Sequence, residues 1–231
     1  MSKFLFKQFE VAHDKCVFKV GTDSILLGSW ITGEYRSVAD LGSGCGLLAL
    51  MCAQKFENAQ VLGVEFDELS FLQSVANAKK SPWANRIGVS FEDIRKMDGR
   101  TFDLIISNPP YFERQVESPD VRKNKARQES HLSILELFEA ANRISHSVST
   151  VAVVFPYARR QNLIESSQRC GWHLREELRV ETHPGKQVKL ILAKFVKAES
   201  EPWLEYLCIM NASGEYSPEF KALTKDFYLD Y

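Results

Sequence analysis

The residues of this chain best suited to chemistry are Asn108-Pro109-Pro110-Tyr111, set directly behind the apolar run Phe102-Asp103-Leu104-Ile105-Ile106. The run reads as a buried strand, and the tetrapeptide as a stiff turn at its C-terminal end. Two prolines fix φ and remove two backbone donors, so nearby carbonyls stay free to accept from something else. An amide side chain and an aromatic ring stand beside them. Together the four residues suit a flat ligand with an amino group: the ring stacks on it, and the amide oxygen and a carbonyl hold its NH2. A second constellation lies upstream. Val38-Ala39-Asp40-Leu41-Gly42-Ser43-Gly44-Cys45-Gly46-Leu47 reads as a strand, a glycine-rich turn and a helix start. Glycine permits positive φ and close approach of a ligand, and a helix N-terminus offers free amides to an anion. Leu47 stands where a dinucleotide fingerprint needs its third glycine, so the turn suits a smaller anionic end than a pyrophosphate, such as a carboxylate.

Asn-Pro-Pro-Tyr resembles the catalytic motif of S-adenosylmethionine-dependent methyltransferases that act on planar nitrogens, namely adenine N6, glutamine amide and some guanine N2 enzymes. The resemblance makes Asn108, Pro109, Pro110 and Tyr111 the candidate catalytic residues. It also gives the acids at successive strand ends a use. Gly42, Gly44 and Gly46 would receive the methionine carboxylate, and Asp40 would orient the turn or the ligand's amino group. Glu65, closing the second strand, suits the two ribose hydroxyls by the logic of the nucleotide folds. Asp93 would accept from the adenine amine, and Thr22, Asp23 and Asn108 complete the expected cofactor-binding set. No His/Cys cluster has zinc spacing, and no metal is expected.

These residues need a scaffold that brings strand ends together. Apolar runs at 37–41, 60–65, 87–91, 102–107, 150–155, 174–182 and 188–196 read as strands. Helix-like segments fill the gaps at 44–56, 68–79, 132–145 and 158–170. Such alternation predicts an α/β fold: a mostly parallel sheet with helices on both faces. His183-Pro184-Gly185-Lys186 makes the last two strands an antiparallel hairpin closing the sheet edge, as in the class I methyltransferase (Rossmann-like) fold. Residues 1–36 precede the first strand, with Thr22 or Asp23 capping a short helix that carries Ile25, Leu26 and Trp30. The expected organisation is one methyltransferase domain over 1–231. An N-terminal extension (1–36) covers the cofactor site, 37–197 form the core, and 198–231 are a C-terminal extension that includes an apolar run at 204–210 and a helix start at Ser217-Pro218-Glu219.

Composition bounds the partners. With 45% hydrophobic and 26% charged residues the chain is of ordinary globular type, and its net charge of −1 excludes binding nucleic acid by bulk charge. Any such contact must be a local patch. Arg122-Lys123-Asn124-Lys125-Ala126-Arg127, just beyond the proline turn, places Arg122, Lys123, Lys125 and Arg127 where they would hold phosphates beside a target base. Arg159-Arg160 and Lys186 with Lys189 are weaker candidates for the same role and read rather as plain surface. Five cysteines without C-x-x-C fit a reducing compartment, and no stretch approaches a membrane span, so the expected location is the cytoplasm. His131 is a candidate for lining the site and His13 for packing over the cofactor.

Nearly the whole chain is similar to one bacterial family, the tRNA1(Val) (adenine-37-N6)-methyltransferases. The stretches that carry this are Phe9-Glu10-Val11-Ala12-His13-Asp14-Lys15-Cys16, Lys19-Val20-Gly21-Thr22-Asp23, 42–51, Ser81-Pro82-Trp83-Ala84, 104–111 and Ala222-Leu223-Thr224. Ser24 and Ser43 stand where glycine and alanine are expected from the family. The resemblance implies methylation of the exocyclic N6 of adenine-37, beside the anticodon of a valine tRNA, by a monomer with S-adenosylmethionine. The alternatives are a protein glutamine N5-methyltransferase, which would carry a separate N-terminal helical domain, and another RNA or DNA amino-methyltransferase with the same motif. A DNA enzyme would add a recognition domain. A non-catalytic RNA-binding protein would not need the intact Asn108 and glycines.

Overall fold

The computed structural model describes residues 2–110, 132–199 and 201–229. An N-terminal hairpin, β1 (Lys3–Leu5) and β2 (Glu10–Ala12), leads into α1 (Thr22–Trp30). The alternating run follows: β3 (Ser37–Leu41), α2 (Leu47–Lys55), β4 (Gln60–Glu65), α3 (Glu68–Lys80), β5 (Ile87–Phe91) and β6 (Phe102–Ser107). Beyond the proline turn come α4 (Ile134–Arg143), β7 (Ser145–Pro156), α5 (Arg160–Arg169), β8 (His173–Glu181), β9 (Leu190–Val196), β10 (Trp203–Cys208) and α6 (Pro218–Thr224).

β3 to β10 form one eight-stranded sheet in the order β10-β8-β9-β7-β6-β3-β4-β5. Its pairs are parallel except β7 with β9 and β8 with β9. Helices cover both faces, so the central strands lack in–out alternation: Val38 to Leu41 of β3 are all buried, as are Leu104 to Ser107 of β6. One core packs α1, α2 and α6 with Phe6, Phe9 and Trp30 against the sheet. The other holds α4 and α5, with Phe138, Phe195 and Trp172 at its centre. At about 25 cal/mol per Å² of apolar surface removed from water, these two layers are the main force holding the strand ends in register.

The first four predicted strands coincide with the observed ones, and the predicted helices differ by a few residues at their ends. Ser133 caps α4 in a reciprocal capping box with Glu136, which starts the helix at Ile134 rather than 132. Two expectations need correction. The β8–β9 hairpin does not close the sheet, because the 204–210 run supplies β10, which pairs in parallel with β8 and takes the edge. Nor does Thr22 or Asp23 cap α1: Gly21 occupies the N-cap without a side-chain bond, and Thr22 and Asp23 lie in the first turn. Among the described residues no helix is long and apolar enough to cross a membrane.

Candidate active site

Because β3, β4, β5 and β6 run parallel, the turns after Leu41, Glu65, Phe91 and Ser107 open on one side of the sheet. They surround a cavity of about 630 Å³. Of the residues singled out by the sequence, Asp23, Asp40, Gly42, Gly44, Glu65 and Asp93 line it, and so do Asn108, Pro109 and Pro110. Asn108 therefore shares one space with the glycine turn. Ser107 Oγ donates to the Leu41 carbonyl at 2.7 Å and ties the two strand ends directly. Tyr111, Arg122, Lys123, Lys125, Arg127 and His131 lie outside the described residues.

The three glycines do different work. Gly42 (φ 72°) and Gly44 (φ 56°) adopt the left-handed region, and a Cβ at either would meet nothing within 4 Å among the described residues. They floor the cavity with bare backbone. Gly46, with φ 81°, is the N-cap of α2, and a Cβ there would lie 2.5 Å from Ser74 Oγ. Its glycine is required by the packing of α2 on α3, and it is not among the lining residues. Thr22 is exposed and is also not among them.

Four amides of the turn are spent internally, those of Gly42, Ser43, Gly44 and Gly46. Gly42 and Ser43 N–H both donate to the Val64 carbonyl at 2.9 Å, and Gly46 N–H to the Ser43 carbonyl at 2.8 Å. Gly44 N–H donates to Glu65 Oε2 at 2.7 Å. In the first turn of α2, Ala49 N–H donates to Asp40 Oδ2 at 3.0 Å. Two cationic side chains also stand on the cavity wall: Lys19, and Arg95, which is paired with Asp93. Sequence reasoning quoted Lys19 but gave it no role; its neighbours Gly21 and Asp23 on the same wall were the available signal.

Three acids define the site's electrostatics. Asp40 is buried, its Oδ1 has no hydrogen-bond partner among the described residues, and burial, helped by the charge of Glu65 and opposed by the Ala49 amide, lifts its pKa to about 7. Glu65 accepts from three backbone amides: Gly44, and Phe66 and Asp67, each at 2.8 Å, through Oε1. Burial nevertheless leaves its carboxyl above the usual range, because desolvation outweighs those bonds. Asp93 sits lower than an ordinary aspartate, since Arg95 grips both oxygens through Nε (2.9 and 3.0 Å) and Nη2 (2.7 Å). Arg143 on α4 fixes that turn by donating to the carbonyls of Ile94, Arg95 and Met97.

Above the acids, Phe66 and Phe91 stack with ring centroids 6.4 Å apart and are 44% and 54% exposed. Two exposed aromatic rings on a cavity rim present a flat apolar surface to a ligand, and neither was singled out from the sequence. Across the cavity, Asn108 Nδ2 donates to Ser24 Oγ at 2.8 Å, which fixes the plane of the amide. His13 is buried: Nδ1 accepts from Val20 N–H at 3.1 Å, and Nε2 lies 2.8 Å from Ser2 Oγ. It thus pins the segment carrying Val17 to Gly21, which walls the cavity. No group of His, Cys, Asp and Glu among the described residues is arranged to hold a metal ion.

The arrangement is matched elsewhere. Residues 8–132 fit the family model of the methyltransferase small domain. The chain is 41% identical over 229 residues to a tRNA1(Val) (adenine(37)-N6)-methyltransferase of Tolumonas auensis, covering 98% of this chain and 96% of that one. It is 36% identical to the protein of the same name from Histophilus somni, covering 99% and 98% of the two chains. Among solved structures it resembles a predicted O-methyltransferase of Agrobacterium tumefaciens, with TM-score 0.70, 18% identity and coverage of 90% and 98%. The ribosomal protein L11 methylase of Lactobacillus delbrueckii gives TM-score 0.55 at 15% identity, covering 79% and 81%. At these identities the structures establish the class I methyltransferase fold alone.

Proposed function

The chain belongs to the tRNA1(Val) (adenine(37)-N6)-methyltransferase family, and from that premise we propose that it methylates the exocyclic N6 of adenine-37 in tRNA1(Val) in the cytoplasm, with S-adenosylmethionine as donor. The observation that carries this reading is the Asn108 amide, pinned by Ser24 at the edge of a cavity floored by Gly42 and Gly44. The cavity fits that donor in three respects. Among the described residues, its floor leaves open space where any Cβ would intrude, Asp40 keeps an oxygen without a partner, and exposed rings flank the acidic turns.

S-adenosylmethionine, when bound, supplies an electrophilic methyl group on a sulfonium. Asp40 would hold its ammonium, Lys19 its carboxylate and Glu65 its ribose. Asp93 would accept from the adenine amine, with Phe66 and Phe91 against the ring. The Asn108 oxygen and the Pro109 carbonyl then accept the two hydrogens of the target amine. That draws the nitrogen out of conjugation and aims its lone pair into the cavity, so orientation supplies most of the acceleration. The surplus proton leaves to solvent, and no side-chain base is required. The target base must leave its stack to reach the cavity, with Tyr111 offered as the ring that receives it.

The deciding experiment incubates the purified protein with labelled S-adenosylmethionine and, separately, tRNA1(Val), duplex DNA and a release factor, followed by nucleoside analysis of the tRNA. N6-methyladenosine at position 37 is the expected product. Label appearing only in release factor or DNA would overturn the assignment.

A further inference from the structure

We propose that the carboxyl edge of β7, β8 and β10 is a docking surface for the RNA strand that flanks the target base, an inference that rests on the RNA-methylation reading above. In the sequence Arg159, Arg160, Lys186 and Lys189 are weak, scattered candidates for RNA contact, but the sheet order brings their strands side by side. β7 follows β6 in the sheet, and Ser107 is in register with Val153. At about 3.3 Å per residue, Tyr157 stands roughly 13 Å beyond that register, on the side where Asn108 opens. From there the strip continues without a gap. Tyr157 N–H donates to the Lys189 carbonyl and Lys189 N–H to the Val180 carbonyl, both at 2.9 Å. Arg179 on β8 is in register with Tyr206 on β10.

Among the side chains on this strip, beside Glu181 and Glu205, are the two kinds a single strand uses: cations for phosphates and rings for bases. The Arg179 guanidinium lies over the rings of Tyr157 (5.4 Å) and Tyr206 (5.7 Å), joining the turn after β7 to β10 in one platform. Its Nη1 donates to the Tyr206 hydroxyl at 3.1 Å and its Nε to Glu177 at 2.7 Å. Glu177 is buried and is shared by Arg160 and Arg179, so the triad carries net positive charge. Tyr206 is 62% exposed. Lys186 and Lys189 are exposed and make no ion pair among the described residues. A buried carboxylate that fixes two arginines, beside the exposed ring of Tyr206 and the half-buried ring of Tyr157, is a preorganised site for a polyanion with flat groups, and its continuity with the Asn108 turn favours RNA over an acidic protein.

The test measures tRNA1(Val) affinity of the full chain at several salt concentrations, with S-adenosylmethionine affinity as the check on folding. Tyr206→Ala is expected to weaken tRNA binding about tenfold or more, as loss of one stacked base does. Lys186→Ala with Lys189→Ala is expected to lower the log–log salt slope by about 1.5. Cofactor affinity stays at the wild-type value in both. Unchanged tRNA affinity and slope in both variants, while wild type binds and methylates tRNA, would remove this surface. A wild-type protein that neither binds nor methylates tRNA would instead sink the functional reading beneath it.

Discussion

Asp40 offers the sharpest test of the site's electrostatics. Burial lifts its carboxyl from 3.8 to about 7. At about 1.4 kcal/mol per tenfold, holding the group ionised at pH 8 costs the ligand-free protein about 4 kcal/mol. The sign follows from which state holds the proton. Below pH 3.8 folded and unfolded chains are both protonated and nothing is lost; the cost grows as pH rises and is full above about 7. A bound ammonium reverses the balance, because a cation beside Asp40 favours the ionised form. Asp40 is about one tenth ionised at pH 6 and half ionised at pH 7, while an α-amino group of ordinary pKa near 8 stays protonated over that range. S-adenosylmethionine affinity, measured by calorimetry, is therefore expected to fall about fivefold from pH 7 to pH 6. Asp40→Asn keeps an acceptor for the Ala49 amide but cannot ionise. Its affinity is expected to be weaker at pH 7 and not to fall on acidification. Without ligand, this variant is expected to be more stable than wild type at pH 8, by up to about 4 kcal/mol in urea denaturation. An equal affinity of wild type at pH 6 and pH 7, or a less stable ligand-free variant at pH 8, would refute the reasoning.

Asn108→Ala is expected to abolish methyl transfer to tRNA while leaving S-adenosylmethionine affinity within about twofold, as read by single-turnover assay and calorimetry; substantial residual turnover would remove Asn108 from the chemistry. Ser24→Ala frees the amide from its 2.8 Å tether and is expected to lower kcat about tenfold or less, in line with one neutral hydrogen bond of about 1 kcal/mol, with KM for the cofactor unmoved; a pure KM effect would contradict a positioning role. Gly46→Ala forces a side chain onto a backbone with φ 81° and into Ser74 Oγ at 2.5 Å. The left-handed conformation alone costs about 1–2 kcal/mol, so denaturant midpoints are expected to fall, and Ser74→Gly added to it is expected to recover the steric part only.

The parts of this molecule legible in the sequence are those fixed by local patterning. β3 to β6 were legible because buried parallel strands are short unbroken apolar runs between turn residues, and the glycine and proline turns sit at their ends by necessity of chain reversal. The Asn108 turn and the Gly42–Gly44 floor share a cavity because parallel strands deliver all their C-termini to one edge. What depends on long-range partners was not legible. The three-residue strands β1 and β2 are too short to show periodicity, and β10 is a largely exposed edge strand paired with β8. The inward donation of the glycine-turn amides depends on the Val64 carbonyl and the Glu65 carboxylate, which only the folded β3–β4 pair brings within reach.

That distinction explains why a net charge of −1 conceals the molecule's polarity. Along one edge of the sheet the candidate cofactor acids and the strip's cations gather at different places. Asp40, Glu65 and Asp93 end or follow β3, β4 and β5 on one side of the Asn108 turn. Arg159, Arg179, Lys186 and Lys189 gather around the ends of β7 to β9 on the other. An acidic cavity favours a cationic sulfonium donor, and a basic strip favours a polyanion; placed together the two fields would cancel. The proline turn stands at the boundary, where a base drawn from an anionic strand meets a positively charged methyl donor. Moving that boundary, by reversing Lys189 to glutamate, is therefore expected to weaken tRNA association more at low salt than at high salt, since only the exposed side of the division is screened. An effect that is independent of salt would mean that Lys189 acts through packing and that the division of charge plays no part in bringing the substrates together.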